Sequence, residues 1–277
     1  MSAPQANSKL CSAAFDRIAG SYDEVFTDSA IGRAQRGIVW NEMDRVFLPG
    51  QRILEINCGT GVDALHLAGR GVEVDACDAS PGMIAQAERR AESSSVRDRV
   101  RFRRLPTEEI GSLACEGPYD GVLSNFSGLN CVSNLDLVSR SLAGLVKPGG
   151  RAVFCVFGSF CLWEVVWYLA AGDARKAFRR FRRQAVRAGL TTDTSVTVNY
   201  RSVRSLKRTF APHFLLERWR GVGVGLPPSY VAPAAAGFPQ LVEWAVSIDR
   251  TLGHLPALRA IADHALLTFR RNRDGGS

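Results

Sequence analysis

Two glycines and the acids around them carry the first chemical hint in this sequence. In Arg52-Ile-Leu-Glu-Ile-Asn-Cys-Gly-Thr-Gly-Val-Asp-Ala64 a short apolar run meets Gly59 and Gly61. Glycines at that spacing let the backbone approach a nucleotide, because a Cβ at either position would stand in the way. Ala64 also completes the G-x-G-x-x-A fingerprint of dinucleotide enzymes. Glu55 and Asn57, set in and just after the strand, point to another ligand. Downstream, Val72-Glu-Val-Asp-Ala-Cys-Asp78 ends a second apolar run in an acid, and Ala79-Ser-Pro-Gly-Met83 opens a helix. A carboxylate at such a strand tip accepts hydrogen bonds from both ribose hydroxyls, in NAD or in an adenosyl compound. Asp78 therefore specifies a ribose and leaves the nucleotide open.

Proton-transfer chemistry has fewer candidates. Asp263 and His264 precede the last apolar run; if that run is an antiparallel strand, they sit at the ligand-binding edge, where an imidazole takes a proton near neutral pH. Trp163, Glu164 and Trp167 follow the fifth apolar run and, with Asn130 and Tyr230, are the expected wall of an acceptor pocket. A helical Trp-x-x-x-Trp also reads as plain core. His213 falls at the far edge, and His66 and His254 have no partner in sequence reach. No His/Cys/Asp cluster has ligand spacing, so no metal is expected.

These groups need a scaffold that gathers them. Residues 1–50 read as a helical cap: Phe15, Ile18, Ala19 and Tyr22 keep a three-and-four spacing, repeated by Ile38, Val39, Met43, Val46 and Phe47 until Pro49-Gly50. Apolar runs at 53–56, 72–76, 100–102, 121–124 and 151–157 then alternate with helical stretches near 62–69, 81–92 and 134–146. That rhythm predicts an α/β fold with a doubly wound, mostly parallel sheet whose strand carboxyl ends share one crevice. Residues 159–200 read as an arginine-rich helical insertion ending in a β-like 196–200. The sheet resumes with strands at 214–219 and 265–269, making seven, and helices at 202–210, 241–252 and 256–262. The expected organisation is 1–50 as cap, 51–158 with 201–277 as ligand-binding domain, and 159–200 as substrate cap. The glycine- and proline-rich 221–239 is expected to hang over the crevice.

Composition narrows the setting. With 277 residues and 46% hydrophobic content the chain can build a large core. No leader-like or membrane-spanning apolar stretch is visible, so a cytoplasmic location is expected. Seven scattered cysteines, at 11, 58, 77, 115, 131, 155 and 161, suit packed thiols rather than a disulfide frame. The net charge is +8, and residues 175–187, RKAFRRFRRQAVR, hold seven basic residues and no acid. Helical spacing puts Arg175, Arg179, Arg183 and Arg187 on one face and Phe178, Phe181 and Ala185 opposite. Such a helix either packs its phenylalanines and solvates its arginines, or meets an anionic lipid headgroup, an acidic substrate or a carrier protein. It lacks the interleaved aromatics of a stacking surface, so nucleic acid is not an expected partner.

Taken together, "LEINCGTG", "CDASPGM", "YDGVLSNFSGLN" and "LVKPGG" resemble the class I S-adenosylmethionine-dependent methyltransferases, and "FDRIAGSYD" resembles the lead helix of their small-molecule branch. The resemblance covers residues 15 to about 157, and "DHALLTFRR" is similar to the antiparallel seventh strand of that Rossmann-like fold. It implies S-adenosylmethionine as cofactor. Glu55 matches the first-strand acid beneath the glycine loop, Gly59 and Gly61 the glycines facing the methionine part, and Asp78, followed by Ala79, the ribose-binding acid. Met83 matches a residue packed on adenine, Asn125 and Phe126 match positions beside the transferred methyl, and Tyr22 matches an aromatic that closes the site. Asn57 replaces the usual first glycine; Pro106 replaces a frequent adenine-binding aspartate, leaving Thr107 or Glu108 for that contact. Taken singly, Glu55 also reads as an amide cap, Met83 as core and Asn125 as a turn residue. The function implied is methyl transfer to a small acidic or apolar molecule. Alternatives are a quinone or lipid methyltransferase at a membrane surface, touching it weakly through 175–187, an NAD(P)-dependent oxidoreductase, and a non-catalytic adenosyl-binding protein.

Overall fold

The computed structural model describes residues 3–182, 184–191, 193–229 and 239–273. Two helices lead, α1 (Ala3–Ile18) and α2 (Ala30–Val46), joined through a π-helical turn at Asp23–Thr27. Five strands alternate with helical segments: β1 (Arg52–Ile56), α3 (Val62–Gly69), β2 (Glu73–Asp78), α4 (Pro81–Glu92), β3 (Val100–Arg104), a 3-10 segment (Thr107–Cys115), β4 (Tyr119–Ser124), α5 (Gly128–Cys131), α6 (Leu135–Leu145) and β5 (Val146–Phe157). Local chemistry explains where the helices start. Ser80 caps α4 by accepting from Met83 N at 3.1 Å, with Pro81 behind it, and Asn134 caps α6 through Leu137 N at 3.1 Å.

The sheet closes with β8 (Phe214–Val222) and β9 (His264–Arg271), giving the seven-strand order β3-β2-β1-β4-β5-β9-β8. β9 runs antiparallel to both neighbours, with His264 paired to Phe157, while the strands from β3 through β5 are parallel. The start of β9 therefore lies at the edge where the parallel strands end. Both faces are covered, which is why the strands read as nearly continuous apolar runs. Leu54, Ile56, Tyr119 and Phe154 pack with Val138 and Leu142 of α6 and with Phe210 of α9 (Val203–Phe210). On the other face Ile53, Val74 and Val153 pack with Ile38 and Met43 of α2 and Leu67 of α3, flanked by Ala245 of α10 (Pro239–Leu252).

The basic helix expected over 175–187 does not form. After α7 (Leu162–Ala170) come one helical turn, α8 (Ala174–Ala177), a 3-10 turn at Arg179–Phe181, and a hairpin of β6 (Val186–Gly189) and β7 (Ser195–Val198). The polarity is also reversed: Phe178 and Phe181 are exposed and Arg180 is buried. Buried carboxylates draw the guanidinium inward, a pull that helical periodicity does not register. Arg183 lies outside the described residues. The hairpin packs Val196 and Val198 on Cys11 and Ala14 of α1, so α1 and the insertion roof the crevice together.

Candidate functional site

One cavity of about 280 Å³ opens along the carboxyl edge of the sheet. Its floor is the β1–α3 turn. Gly59 and Gly61 have φ of +54° and +75°, and at Gly59 no atom lies within 4 Å of where a Cβ would project. Asp78 holds this turn in place: its two carboxylate oxygens accept from Gly59 N at 3.0 Å and Ser80 N at 2.9 Å. Burial pushes its carboxyl above the ordinary range, against those backbone donors. Asn57 adopts φ +58°, a left-handed conformation that Asn tolerates, and its side chain joins Thr107 Oγ1 at 2.7 Å to Ser124 Oγ at 3.2 Å. Its bulk requires a glycine opposite, because a Cβ on Gly128 would come within 2.3 Å of Asn57 Cβ.

A buried polar layer borders the floor and lines the cavity beside it. Asp63 accepts from Arg36 Nη1 and Trp40 Nε1, each at 2.6 Å, and from Asn125 Nδ2 at 2.9 Å. Burial opposes its ionisation, yet Arg36 and these donors hold its carboxyl below the usual range. Glu55 stands beside this layer, 1% exposed, with Oε2 lacking a hydrogen-bond partner. Burial, aided by Asp63 and opposed by Arg36, raises it well above the usual range. The two aspartates of the lead segment pin the roof: Asp16 Oδ1 accepts from Gly82 N at 2.8 Å, while Asp23 accepts from Thr60 Oγ1 at 2.7 Å and Arg90 Nη2 at 2.5 Å.

The structure brings Tyr22, Asn57, Gly59, Asp78, Ala79, Met83, Thr107, Glu108, Asn125 and Phe126 to the wall of this cavity. Tyr22 is enclosed enough that burial pushes its phenol up to about 12. Glu55 and Gly61 lie just beneath the wall; Gly61 packs on Phe102 and Ala87.

At the other end of the cavity stand Phe157, Tyr200, Arg179, Arg180, Asp263 and His264. The imidazole of His264 stacks on Phe157 at 4.8 Å and meets the Phe126 ring edge-on at 5.6 Å. Its Nδ1 lies 3.3 Å from Asp263 Oδ2, out of hydrogen-bond alignment. Arg180 ties this corner together, bonding Glu164 Oε2 at 2.7 Å, Asp263 Oδ1 at 2.6 Å and Asp263 O at 2.9 Å, with its guanidinium 5.2 Å from the Phe157 and Tyr200 rings. Burial opposes ionisation of Asp263, but His264 and Arg180 hold it far below the ordinary carboxylate range.

Four expected pocket residues, Asn130, Trp163, Glu164 and Trp167, are not on the cavity wall. Trp163 and Trp167 face outward, 40% and 43% exposed, because α7 turns Glu164 toward the cavity side. Asn130 is a clamp: it donates to Asn199 O at 2.8 Å and accepts from Phe157 N at 2.9 Å, fixing the end of the insertion to the strand tips. Glu164 acts at one remove, through Arg179 and Arg180. Tyr230, with most of the 221–239 loop, lies outside the described residues, although Pro228 and Ser229 reach the cavity. His66 bonds Asp44 at 2.8 Å and stacks on Trp40. Sequence reasoning missed Arg36 and Asp63, and missed the roles of Asp16 and Asp23; the "FDRIAGSYD" run already contained both of the latter.

Comparison with known proteins fits this geometry. Residues 53–150 match the family described as a methyltransferase domain. The chain is 31% identical over 140 residues to the tRNA 5-carboxymethoxyuridine methyltransferase of Escherichia coli (strain K12), covering 49% of this chain and 53% of that one. It is 32% identical over 151 residues to the demethylmenaquinone methyltransferase of Clavibacter sepedonicus, covering 53% of this chain and 58% of that one. The chain thus spans little more than half the length of these relatives. Among solved structures, the DhpI–SAH complex superposes with a TM-score of 0.59 at 19% identity, over 98% of this chain and 99% of that one. The fold is that of the class I methyltransferases, with its antiparallel strand at β9.

The floor residues fit S-adenosylmethionine, the cofactor of this family. Asp78 has lone pairs left for a ribose after its two backbone bonds, and Gly59 leaves a cradle that a Cβ would fill. Among the described residues no group of three or more His, Cys, Asp or Glu side chains is placed to hold a metal, and no helix is long and apolar enough to cross a membrane.

Proposed function

We propose that the chain is an S-adenosylmethionine-dependent methyltransferase whose acceptor is a small, flat, largely apolar molecule carrying an acidic hydrogen. The observation that carries this reading is one cavity with two unlike ends: a glycine-turn floor bearing the Asp78 carboxylate, and an aromatic, charge-balanced wall at His264. The bound cofactor supplies an electrophilic methyl on a sulfonium, and its departure as a neutral thioether needs no acid from the protein. Asp78, Gly59 and Met83 hold the nucleoside, while Asn125 and Phe126 line the approach to the methyl. Holding nucleophile and methyl in near-attack geometry supplies on the order of 7–11 kcal/mol.

The far wall favours a neutral acceptor. Arg179 and Arg180 are matched by Glu164 and Asp263, so no net charge faces the ligand, and Phe126, Phe157 and Tyr200 supply ring faces. His264 takes the acceptor proton. Phe157 and Phe126 hold the imidazole plane, and Asp263, held ionised by Arg180 and 3.3 Å from Nδ1, stabilises its cation rather than acting as the base.

Calorimetry with S-adenosylhomocysteine and with NAD tests the reading. The chain should bind the former and not the latter, and Asp78→Ala should weaken binding by about tenfold or more, the 1.5–3 kcal/mol of a hydrogen bond to a charged group. Binding of NAD alone, or an unchanged affinity in Asp78→Ala, overturns it.

A further inference from the structure

We propose that the outward face of α7, together with residues 174–182 folded back on it, is a docking surface for an anionic lipid bilayer. A surface helix normally turns its charges to solvent and its apolar stripe to the core. α7 is inverted: its sole charged residue, Glu164, is 1% exposed, while Leu162, Trp163, Val166, Trp167 and Leu169 are 40–53% exposed. The following segment extends the patch. Phe181 lies 5.6 Å from the ring of Phe160 and 6.1 Å from that of Phe178, and Lys176 Nζ sits 5.5 Å from the Tyr168 ring of α7. Phe178 and Phe181 are themselves exposed.

The charge on this surface selects the partner. Arg179 and Arg180 are taken up by Glu164 and Asp263, and Lys176, though exposed, pairs with Asp173 at 3.3 Å, but Arg175 and Arg182 stay exposed beside the apolar side chains. Asp173 is the one acid between Val165 and Thr192, and it caps α8 through Lys176 N at 2.9 Å. Tryptophan, leucine and phenylalanine among arginine and lysine suit the boundary between headgroups and acyl chains. A second copy of the chain fits less well. A two-fold interface would set Arg175 and Arg182 against a surface of the same sign. α7 also has its buried side at the cavity, through Glu164 and the two arginines it holds, so an apolar acceptor leaving the bilayer would meet the site across one helix.

Co-sedimentation of the full chain with vesicles tests this without reading methyl transfer. Vesicles of phosphatidylglycerol and phosphatidylcholine should pull down the chain, and phosphatidylcholine alone should not. The double variant Trp167→Ser/Phe181→Ser should bind at least tenfold more weakly, Arg182→Glu should weaken binding and its salt dependence, and both should keep wild-type affinity for S-adenosylhomocysteine. Absence of binding to anionic vesicles, or binding indifferent to these substitutions, overturns the proposal. So does a dimer in sedimentation velocity that Trp167→Ser dissolves, which would make the face an interface between copies. Vesicle binding without S-adenosylhomocysteine binding would leave this proposal standing and remove the methyltransferase reading instead.

Discussion

Arg180→Met is the substitution most informative about the cavity wall. Arg180 is nearly fully buried and donates to Glu164 Oε2 at 2.7 Å and Asp263 Oδ1 at 2.6 Å. Its removal affects the two acids unequally. Glu164 keeps Arg179, at 2.7 Å and 3.1 Å on its two oxygens, whereas Asp263 keeps only His264 at 3.3 Å. An uncompensated buried charge costs about 3–5 kcal/mol. At about 2–4 °C per kcal/mol for a chain of this size, the melting temperature should fall by roughly 6–20 °C. The pH dependence gives the sign. Asp263 has a depressed folded pKa in the parent, so it stabilises the fold above its unfolded value near ~3.9 and loses that contribution as pH falls through the folded value. In Arg180→Met burial dominates and the folded pKa rises, so protonation relieves the variant first. The gap in melting temperature, read by circular dichroism, should shrink between pH 7.5 and pH ~4.5. Adding Asp263→Asn should restore part of the loss, because the orphaned charge is gone. A loss under about 1 kcal/mol, or a double variant no more stable than Arg180→Met, would refute the account.

Substitutions at three positions probe the floor. Asn57→Ala should destabilise more than Asn57→Gly, by about 1 kcal/mol, since both lose the bonds to Thr107 and Ser124 but only alanine retains the strain of φ +58°. Gly128→Ala should be strongly destabilising alone and tolerated with Asn57→Gly, whose missing side chain vacates the space; thermal melts of the three variants decide this. Glu55→Gln should raise the melting temperature at pH 8 and leave it unchanged near pH 4. The parent's carboxyl has a raised folded pKa, so it costs stability as pH rises above the unfolded value of about 4.3 and the amide removes that cost. An equal effect at both pH values would mean that folding does not raise the Glu55 carboxyl.

Elements with strong local signals were legible from the residues alone. The starts of α3 and α4 follow Gly61 and the Ser80-Pro81 cap, and the strand tips carrying Asp78 and Asn125 follow from apolar runs ended by polar residues. The floor of the cavity is built from those tips, so its main residues could be named in advance. The wall was not legible in the same way. Periodicity assigns α7 an apolar interior and 175–187 a helix with buried phenylalanines, yet the apolar side chains of α7, Phe178 and Phe181 face outward while Arg180 turns in. Arg180 meets Asp263 across 83 residues, and no pattern over a few turns encodes such a pair.

The sequence by itself determined the strand-helix alternation, the glycine turn, the ribose acid and a family resemblance, because each is written in neighbouring residues. Only the tertiary structure decided which arginines are buried, that Asp63 and Arg36 brace the floor, that Asn57 and Gly128 share one space, and that Trp163 and Trp167 face outward. Those outcomes depend on where desolvated charges find partners across the chain. A charge that can be compensated only by a distant partner turns inward whatever its local helical phase prefers, and the side chains around it turn out.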